Sequence, residues 1–412
     1  MTDEPASAPI NVGRREMLGA IGAAAIGLPH GVVDLSPPPL RSTAGFPRKA
    51  DFAIPEGRTY INCAYTHPMP VGATAAVRRH LDRRSRPDAN LPAEPPVDLK
   101  AEFAALINAK ASEISYITST SAGENLVLNG LGVRKFDANV VTDALHFDGA
   151  LVNLNELKRQ GLDLRVVMPR DGRIDLRDME RVVDGKTKLI EVSLVAMYNG
   201  FQHDLKAVSD LAHAHGAYVY ADIVQAAGAV PIDVRATGVD FCACSSFKWL
   251  MGDFGTGFLY VREDLLDRVI TRTQIGYHST TAMDSHFPPF DPQSSQPVTW
   301  TMRNDVTGHF ETGSTAQPAE AALRFSLPYI RSLGVANIQA YRQPMLARIR
   351  EGMTRLGFTP ATPEGTTSPL ITFATKKGAA VADKLKRAGV NARVADYWIR
   401  LSPSVFNDMA DV

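Results

Sequence analysis

The chain is short of cysteine and carries no excess of either charge. Only Cys63, Cys242 and Cys244 occur in 412 residues. Three cysteines cannot build a disulfide framework, and no CxxC pair offers a zinc knuckle. Cys242 and Cys244 lie two apart in an apolar stretch, so on a strand they share one face. That is how small buried residues are placed. Lysine and arginine number 44, as do aspartate and glutamate, so the formal net charge is zero. This balance excludes the basic footprint of a nucleic-acid protein and the charge excess of a disordered chain. There are no internal repeats. Outside the N-terminus no run of 18 apolar residues occurs, which excludes a polytopic membrane protein. What is present is ordinary globular usage, 45% hydrophobic, in a chain long enough to bury a large core without a disulfide or metal staple.

Residues 11–29 read NVGRREMLGAIGAAAIGLP. Arg14-Arg15 precede an uncharged Ala/Gly-rich stretch, Met17 to Leu28, too short for a membrane span. This fits a basic n-region and an h-region. The paired arginines, with Leu18 three residues on, resemble a twin-arginine signal. Residues 1–33 are therefore expected to be an export signal, placing the mature protein in the periplasm or outside the cell, with a cytoplasmic protein as the alternative. The cleavage point has no clean A-x-A marker. Residues 34–57 follow as a linker and N-terminal arm, Pro-rich over 34–48.

After the arm, short apolar runs alternate with helical patterns. Helices are expected at 97–110, 121–132, about 148–160 and 204–215. Ser121 with Glu124 makes a capping-box pattern for the second. Strands are expected at 114–118, 139–143, 163–168, 187–195, 217–222, 239–245 and 256–261. This alternation predicts an α/β fold with a mostly parallel sheet covered on both faces. Residues 273–310 lose periodicity and read as a long loop region. Helical pattern returns at 316–357. PLITFAT (369–375), KGAAVADKLKRAG (377–389) and VNARVA (390–395) then make a small α+β unit. The expected division is a large domain over 58–315 and, over 316–412, a connecting helix with a small C-terminal domain.

In open α/β sheets, ligands bind beyond the carboxyl ends of the strands. Four such ends carry chemistry: Asp222-Ile-Val-Gln225, Ser245-Ser-Phe-Lys248-Trp249, Ser119-Thr-Ser-Ala-Gly123 and His146-Phe147. Each alone is weak, since a lysine after a strand is usually solvated and an aspartate there commonly caps a turn. Together they meet the needs of pyridoxal 5′-phosphate. That cofactor requires a lysine amine and a carboxylate for its ring nitrogen, and phosphate donors at a helix N-terminus. His213 and His215, two apart on a helix, do not face each other and offer no metal site.

With these motifs in view, residues 58 to 407 resemble the class-V aminotransferase family of fold-type-I pyridoxal-phosphate enzymes, which includes cysteine desulfurases, kynureninases and isopenicillin-N-epimerase-like proteins. YADIVQAAGAVPIDV (220–234) and SSFKWLMGDFGTGFLYV (245–261) carry the resemblance. It implies Lys248 as the Schiff-base lysine and Asp222 as the acid on the ring nitrogen. It implies Gln225 on the 3-hydroxyl, Thr120, Ser121 and Ala122 in the phosphate cup, and Ser245 as a further phosphate contact. Phe147 falls where the ring-stacking residue sits. Ser314, or Thr315, matches the hydroxyl that reaches the partner subunit's phosphate, which implies a homodimer. Arg393 and Arg400 match two small-domain arginines, Arg400 as the substrate-carboxylate clamp, and a guanidinium fork suits that task.

Four departures stand out. No cysteine lies between Arg393 and Arg400, which speaks against cysteine desulfurase activity. Phe247 replaces a common histidine, and Met197 a common asparagine. The chain stops at Val412, where relatives continue into a terminal helix. The implied activity is transamination of an amino-acid-like substrate. Epimerisation, C–S or C–C lysis, and a non-catalytic cofactor-fold protein are the alternatives.

Overall fold

A computed structural model describes residues 45–86, 96–287, 289–290 and 296–412. The expected signal and residues 34–44 of the arm lie outside the described residues. The chain opens with strand β1 (Thr59–Tyr60), helix α1 (Val71–Ser85) and helix α2 (Leu99–Ile107). Asp98 starts α2, accepting from the N–H groups of Lys100 and Ala101, both at 3.0 Å, as an acidic N-cap should. The next elements are β2 (Ile114–Ile117), α3 (Thr120–Gly130), β3 (Asn139–Asp143), α4 (Asp148–Gln160) and β4 (Asp163–Val167). They continue through α5 (Leu176–Glu180), β5 (Thr187–Ser193), α6 (Leu205–Ala214), β6 (Tyr218–Asp222), α7 (Val234–Thr237), β7 (Phe241–Ser245) and β8 (Gly257–Val261).

These strands form one seven-stranded sheet in the order β2-β8-β7-β6-β5-β3-β4. β4, β3, β5, β6 and β7 pair in parallel, and β8 runs antiparallel to both β7 and β2. Every residue of β7 and β8 is buried, as a sheet covered on both faces requires. Strand alternation sorts the two cores. Ile190, Val192, Val219, Ala221, Cys242 and Cys244 pack on the side of Phe103 and Val208. Leu189, Tyr220, Phe241 and Ala243 pack on the side of Val127 and Leu154. The two cysteines thus share a buried face.

The order places a topological switch between β3 and β5. β4 lies outside β3, and the chain then returns to β5 and builds outward through β6 and β7. The crevice at such a switch is where an α/β sheet binds its ligand.

The remaining described elements are β9 (Thr280–Ser285), β10 (Val298–Met302), α8 (Val306–Phe310), α9 (Gln317–Leu333) and α10 (Val335–Arg355). They are followed by β11 (Thr359–Pro360), β12 (Ile371–Ala374), α11 (Gly378–Arg387), β13 (Val390–Asn391), β14 (Arg393–Val394) and β15 (Trp398–Leu401). A second, four-stranded sheet has the order β11-β12-β15-β14.

Four local expectations are corrected. The α3 cap is Ser119, whose Oγ accepts from Ala122 N–H at 3.1 Å. Glu124 is buried and takes a 2.6 Å hydrogen bond from Asn153 instead of closing a capping box. The stretch 273–310 contains the β9–β10 antiparallel pair and α8. Its strands are mostly exposed; β9, TTAMDS, lacks the apolar alternation that marks a half-buried strand, and β10, VTWTM, carries it over only five residues. The helix expected over 316–357 is two helices, broken at Gly334, where φ is +78°. The strand expected over 390–395 divides between β13, paired with β1, and β14, paired with β15.

Candidate active site

The carboxyl ends of β3, β5, β6 and β7 and the N-terminus of α3 converge on one crevice. Asp222 is the last residue of β6 and 4% exposed. Val224 N–H donates to its Oδ1 at 2.8 Å. Burial raises the Asp222 pKa. The nearby His146, the Val224 N–H, Lys248 and Ser193 all pull it back toward the anion.

Lys248 lies three residues past β7 and is 9% exposed. Its turn is tight: Met251 N–H returns to the Lys248 carbonyl at 2.8 Å, and Gly252 N–H to Ser246 at 2.9 Å. Gly228 admits that turn, because a Cβ there would lie 2.5 Å from the Trp249 carbonyl oxygen. Burial lowers the Lys248 amine to a pKa of about 8, with Asp222 opposing the shift and Arg400 adding to it. Its Nζ lies 6.0 Å from the Phe147 ring centroid and 5.7 Å from that of Phe247. Phe147, directly before α4, is therefore beside the amine, as a ring-covering residue must be. Phe247 stacks on Phe254 at 4.2 Å, so the position where relatives commonly carry histidine is an aromatic wall.

Gln225 uses both ends of its amide. Nε2 donates to the Ala64 carbonyl at 2.9 Å, and Oε1 accepts from Trp249 Nε1 at 2.9 Å. The second Nε2 hydrogen remains for a ligand oxygen. At the head of α3, Thr120 N–H donates to Ser245 Oγ at 2.9 Å, and Ser245 N–H to Thr120 Oγ1 at 3.0 Å. The two hydroxyl oxygens are 2.9 Å apart. Ala122 N–H is taken by Ser119. Among the described residues Ser121 N–H has no partner. A helix N-terminus with two hydroxyls and an uncommitted N–H is an anion cradle.

Arg393 and Arg400 face each other across the β14–β15 pair. Directly opposed residues project from the same side of a sheet, and like charges there repel. Arg400 is 4% exposed and donates from Nη1 to the Met197 carbonyl at 2.8 Å, while its Nε has no partner. Burial, then the Arg393 charge, lowers its pKa to about 10. Met197 thus serves the site through its carbonyl, whatever side chain it carries. Arg393 is exposed and lies 5.1 Å from the Tyr65 ring centroid. Two opposed guanidiniums with an unsatisfied Nε suit an incoming carboxylate.

Ser314 is not gathered with the others. It is hydrogen-bonded to the Tyr277 hydroxyl at 2.6 Å on an exposed surface, and Thr315 bonds Glu320. Sequence reasoning missed two contributors. One is the segment around Ala64, anchored when Ala64 N–H donates to Ser402 Oγ at 3.0 Å; it has no periodicity to reveal it. The other is Glu191, which is fully buried. A glutamate inside the apolar run TKLIEVSLV was the available signal.

The residues fit pyridoxal 5′-phosphate. A buried amine of lowered pKa, a buried carboxylate one strand away, an aromatic ring beside the amine and an anion cradle are its requirements. The comparisons agree. The model of the aminotransferase class-V family matches residues 97–394. The chain belongs to that family, and its cofactor is pyridoxal 5′-phosphate. A "Probable cysteine desulfurase" of Methanothermobacter thermautotrophicus is 28% identical over 305 residues, 72% of each chain. An "Uncharacterized aminotransferase YcbU" of Bacillus subtilis is 25% identical, covering 74% of this chain and 78% of that one. In fold, the apo cysteine desulfurase of Thermococcus onnurineus NA1 superposes with a TM-score of 0.73 at 20% identity, covering 90% of this chain and 96% of the other. A C-DES mutant with glycine covalently linked to its PLP cofactor gives 0.73 at 19% identity, over 89% and 97% of the two chains. The fold is therefore that of fold-type-I pyridoxal-phosphate enzymes. The expectation against cysteine desulfurases gains no support here, since relatives in both comparisons carry that name.

Proposed function

We propose that this pyridoxal-phosphate enzyme transfers a proton at Cα of an amino acid, with Lys248 as base, and that the outcome is transamination. The observation that carries this reading is the Lys248 amine, buried between Asp222 and Arg400 with its pKa lowered to about 8. A lysine so placed can hold the cofactor and, once released, accept a proton near neutral pH. When bound, pyridoxal phosphate supplies an aldehyde that captures amines and a ring that accepts the electron pair left at Cα. Asp222 anchors the ring nitrogen as an anion. Ser121 N–H and the Thr120 and Ser245 hydroxyls hold the phosphate. Phe147 covers the ring and excludes water from it. Arg400, steadied by the Met197 carbonyl, binds the substrate carboxylate, with Arg393 beside it. Ser314 acts on the cofactor of a second copy in a homodimer, and the N-terminal segment directs export.

Elimination at Cβ is the second reading, supported by the fold likeness to the cystine C–S lyase C-DES, which has a TM-score of 0.70. It uses the same base. The test is to reconstitute the protein with pyridoxal phosphate and supply amino acids. A visible absorbance band absent from Lys248→Ala, together with 2-oxo-acid formation, supports transamination. Sulfide or ammonia release selects elimination. A band unchanged in Lys248→Ala overturns the assignment.

A further inference from the structure

Beneath Asp222 lies a row of buried polar groups that the proposed chemistry does not use. His146, between β3 and α4, is fully buried, as is Glu191 on β5. His146 Nδ1 is 2.8 Å from Ser193 Oγ, and Nε2 is 3.4 Å from Glu191 Oε1. The Ser193 hydroxyl also reaches the Asp222 carboxylate and helps hold it toward the anion.

Proton counting constrains this row. A carboxylate only accepts, so the single Ser193 hydrogen points to Asp222. Ser193 Oγ must then accept from His146 Nδ1–H. Nε2 faces Glu191 Oε1; burial raises the Glu191 pKa, and the His146 hydrogen bond and charge pull it back toward the anion. With Glu191 ionised, Nε2 donates as well, both ring nitrogens carry hydrogen, and His146 is an imidazolium.

We propose that His146 is a positioning residue for Asp222: an imidazolium joined through the Ser193 hydroxyl to Asp222 and braced from behind by Glu191, it keeps the Asp222 carboxylate anionic and aimed into the crevice. This deepens the cofactor reading, since it assigns the support of the residue that would meet the ring nitrogen.

The surroundings agree. Asp222 is faced by His146, Ser193, Lys248, Cys242, Cys244, Tyr220, Glu124 and Glu191. Lys248, held at about 8, is a weakened counter-charge. The thiols of Cys242 and Cys244 and the Tyr220 phenol are all pushed up by burial and stay neutral. Glu124 is raised by burial to about 8, so it too is mostly neutral at pH 7. His146 is faced by Glu191, Asp222, Asp143 and Glu124. Burial opposes its charge, but the carboxylates outweigh burial and its pKa stands above the ordinary value.

The test does not depend on turnover. Full-length protein labelled with ¹⁵N-histidine is titrated by NMR with and without pyridoxal phosphate. The His146 ring is assigned by its loss in His146→Gln or, should that variant not fold, by its shift in Ser193→Ala. Both ring nitrogens are expected to be protonated at pH 7.5, and Glu191→Gln should lower the titration midpoint by about one pH unit or more. In His146→Gln the cofactor band should acquire a pH dependence absent from the parent. A His146 ring with a single proton at pH 7.5, or a midpoint unmoved in Glu191→Gln, overturns the proposal. A Lys248 band that forms normally alongside those results would leave the cofactor reading standing and sink only the relay.

Discussion

The floor and the roof of the crevice handle charge in opposite ways. The floor, at the ends of β3, β5 and β6, holds Asp222, Ser193, His146 and Glu191 in one hydrogen-bonded row. Its acids face the His146 imidazole, as buried charges must if they are not to be a liability, and only Glu191 Oε2 in that row has no hydrogen-bond partner among the described residues. The roof, on β14 and β15, sets Arg393 opposite Arg400 and, among the described residues, leaves the Arg400 Nε unpaired. A buried donor without a partner costs about 1–3 kcal/mol. Opposite charges paired in the floor build the site, whereas like charges set together in the roof mark where an anionic ligand completes it.

The largest effect is expected from breaking the floor. Asp222→Asn removes the anion and keeps the shape. Loss of one preorganised electrostatic group typically costs about a hundredfold or more in kcat. Single-turnover Cα–H exchange should fall by about that factor while the KM for the amino acid moves little. An unchanged exchange rate would remove Asp222 from the chemistry.

The roof should respond in binding. Arg400→Lys keeps one charge but loses the planar fork. A hydrogen bond to a charged group is worth about 1.5–3 kcal/mol, so KM should rise about tenfold to a hundredfold with a smaller change in kcat. Amines without a carboxylate should not distinguish the variant from its parent. If they do, Arg400 is structural.

The floor and roof also meet electrostatically at Lys248. Its amine must be neutral to accept a proton, and its pKa is lowered to about 8. The rate of Cα–H exchange should therefore rise with pH through a midpoint near 8. Arg400 contributes to holding that value down. In Arg400→Gln the Lys248 pKa moves up, and the ascending limb shifts to higher pH. A limb that stays in place would show that burial alone sets the lysine.

How far each half could be read from sequence follows from the same contrast. The parallel sheet was legible because its strands are buried on both faces and appear as continuous apolar runs. Asp222, Lys248, Thr120 and Ser245 were legible because each interrupts such a run at its carboxyl end. Glu191 was passed over because it sits inside a run, where only a cross-strand partner, His146, gives it meaning. The β9–β10 pair is hard to read because its strands are exposed: β9, TTAMDS, carries no alternation, and β10, VTWTM, carries it over only five residues. The opposition of Arg393 and Arg400 needed the register of two strands, which composition and spacing do not fix.

A third arginine sharpens the comparison with the smallest effect. Arg342 on α10 is fully buried, donates to the Ala229 carbonyl at 2.7 Å and lies 5.2 Å from the Trp249 ring centroid. Burial lowers its pKa to about 9, and its Nε and Nη1 are unpaired. By the rule drawn from Arg400 it would await a ligand, yet its neighbours Trp249, Ala229 and Cys63 are themselves closed off from solvent. Its flat guanidinium packs against the indole, so packing rather than an incoming anion accounts for it. Replacing a buried charge by an apolar side chain of similar volume is often neutral or stabilising. Arg342→Met should therefore change unfolding free energy by no more than about 1 kcal/mol, toward greater stability. Chemical denaturation measures this, and the carboxylate KM should not move. A rise in KM would make Arg342 a second anion site and dissolve the distinction between an arginine that waits for a substrate and one that fills the core.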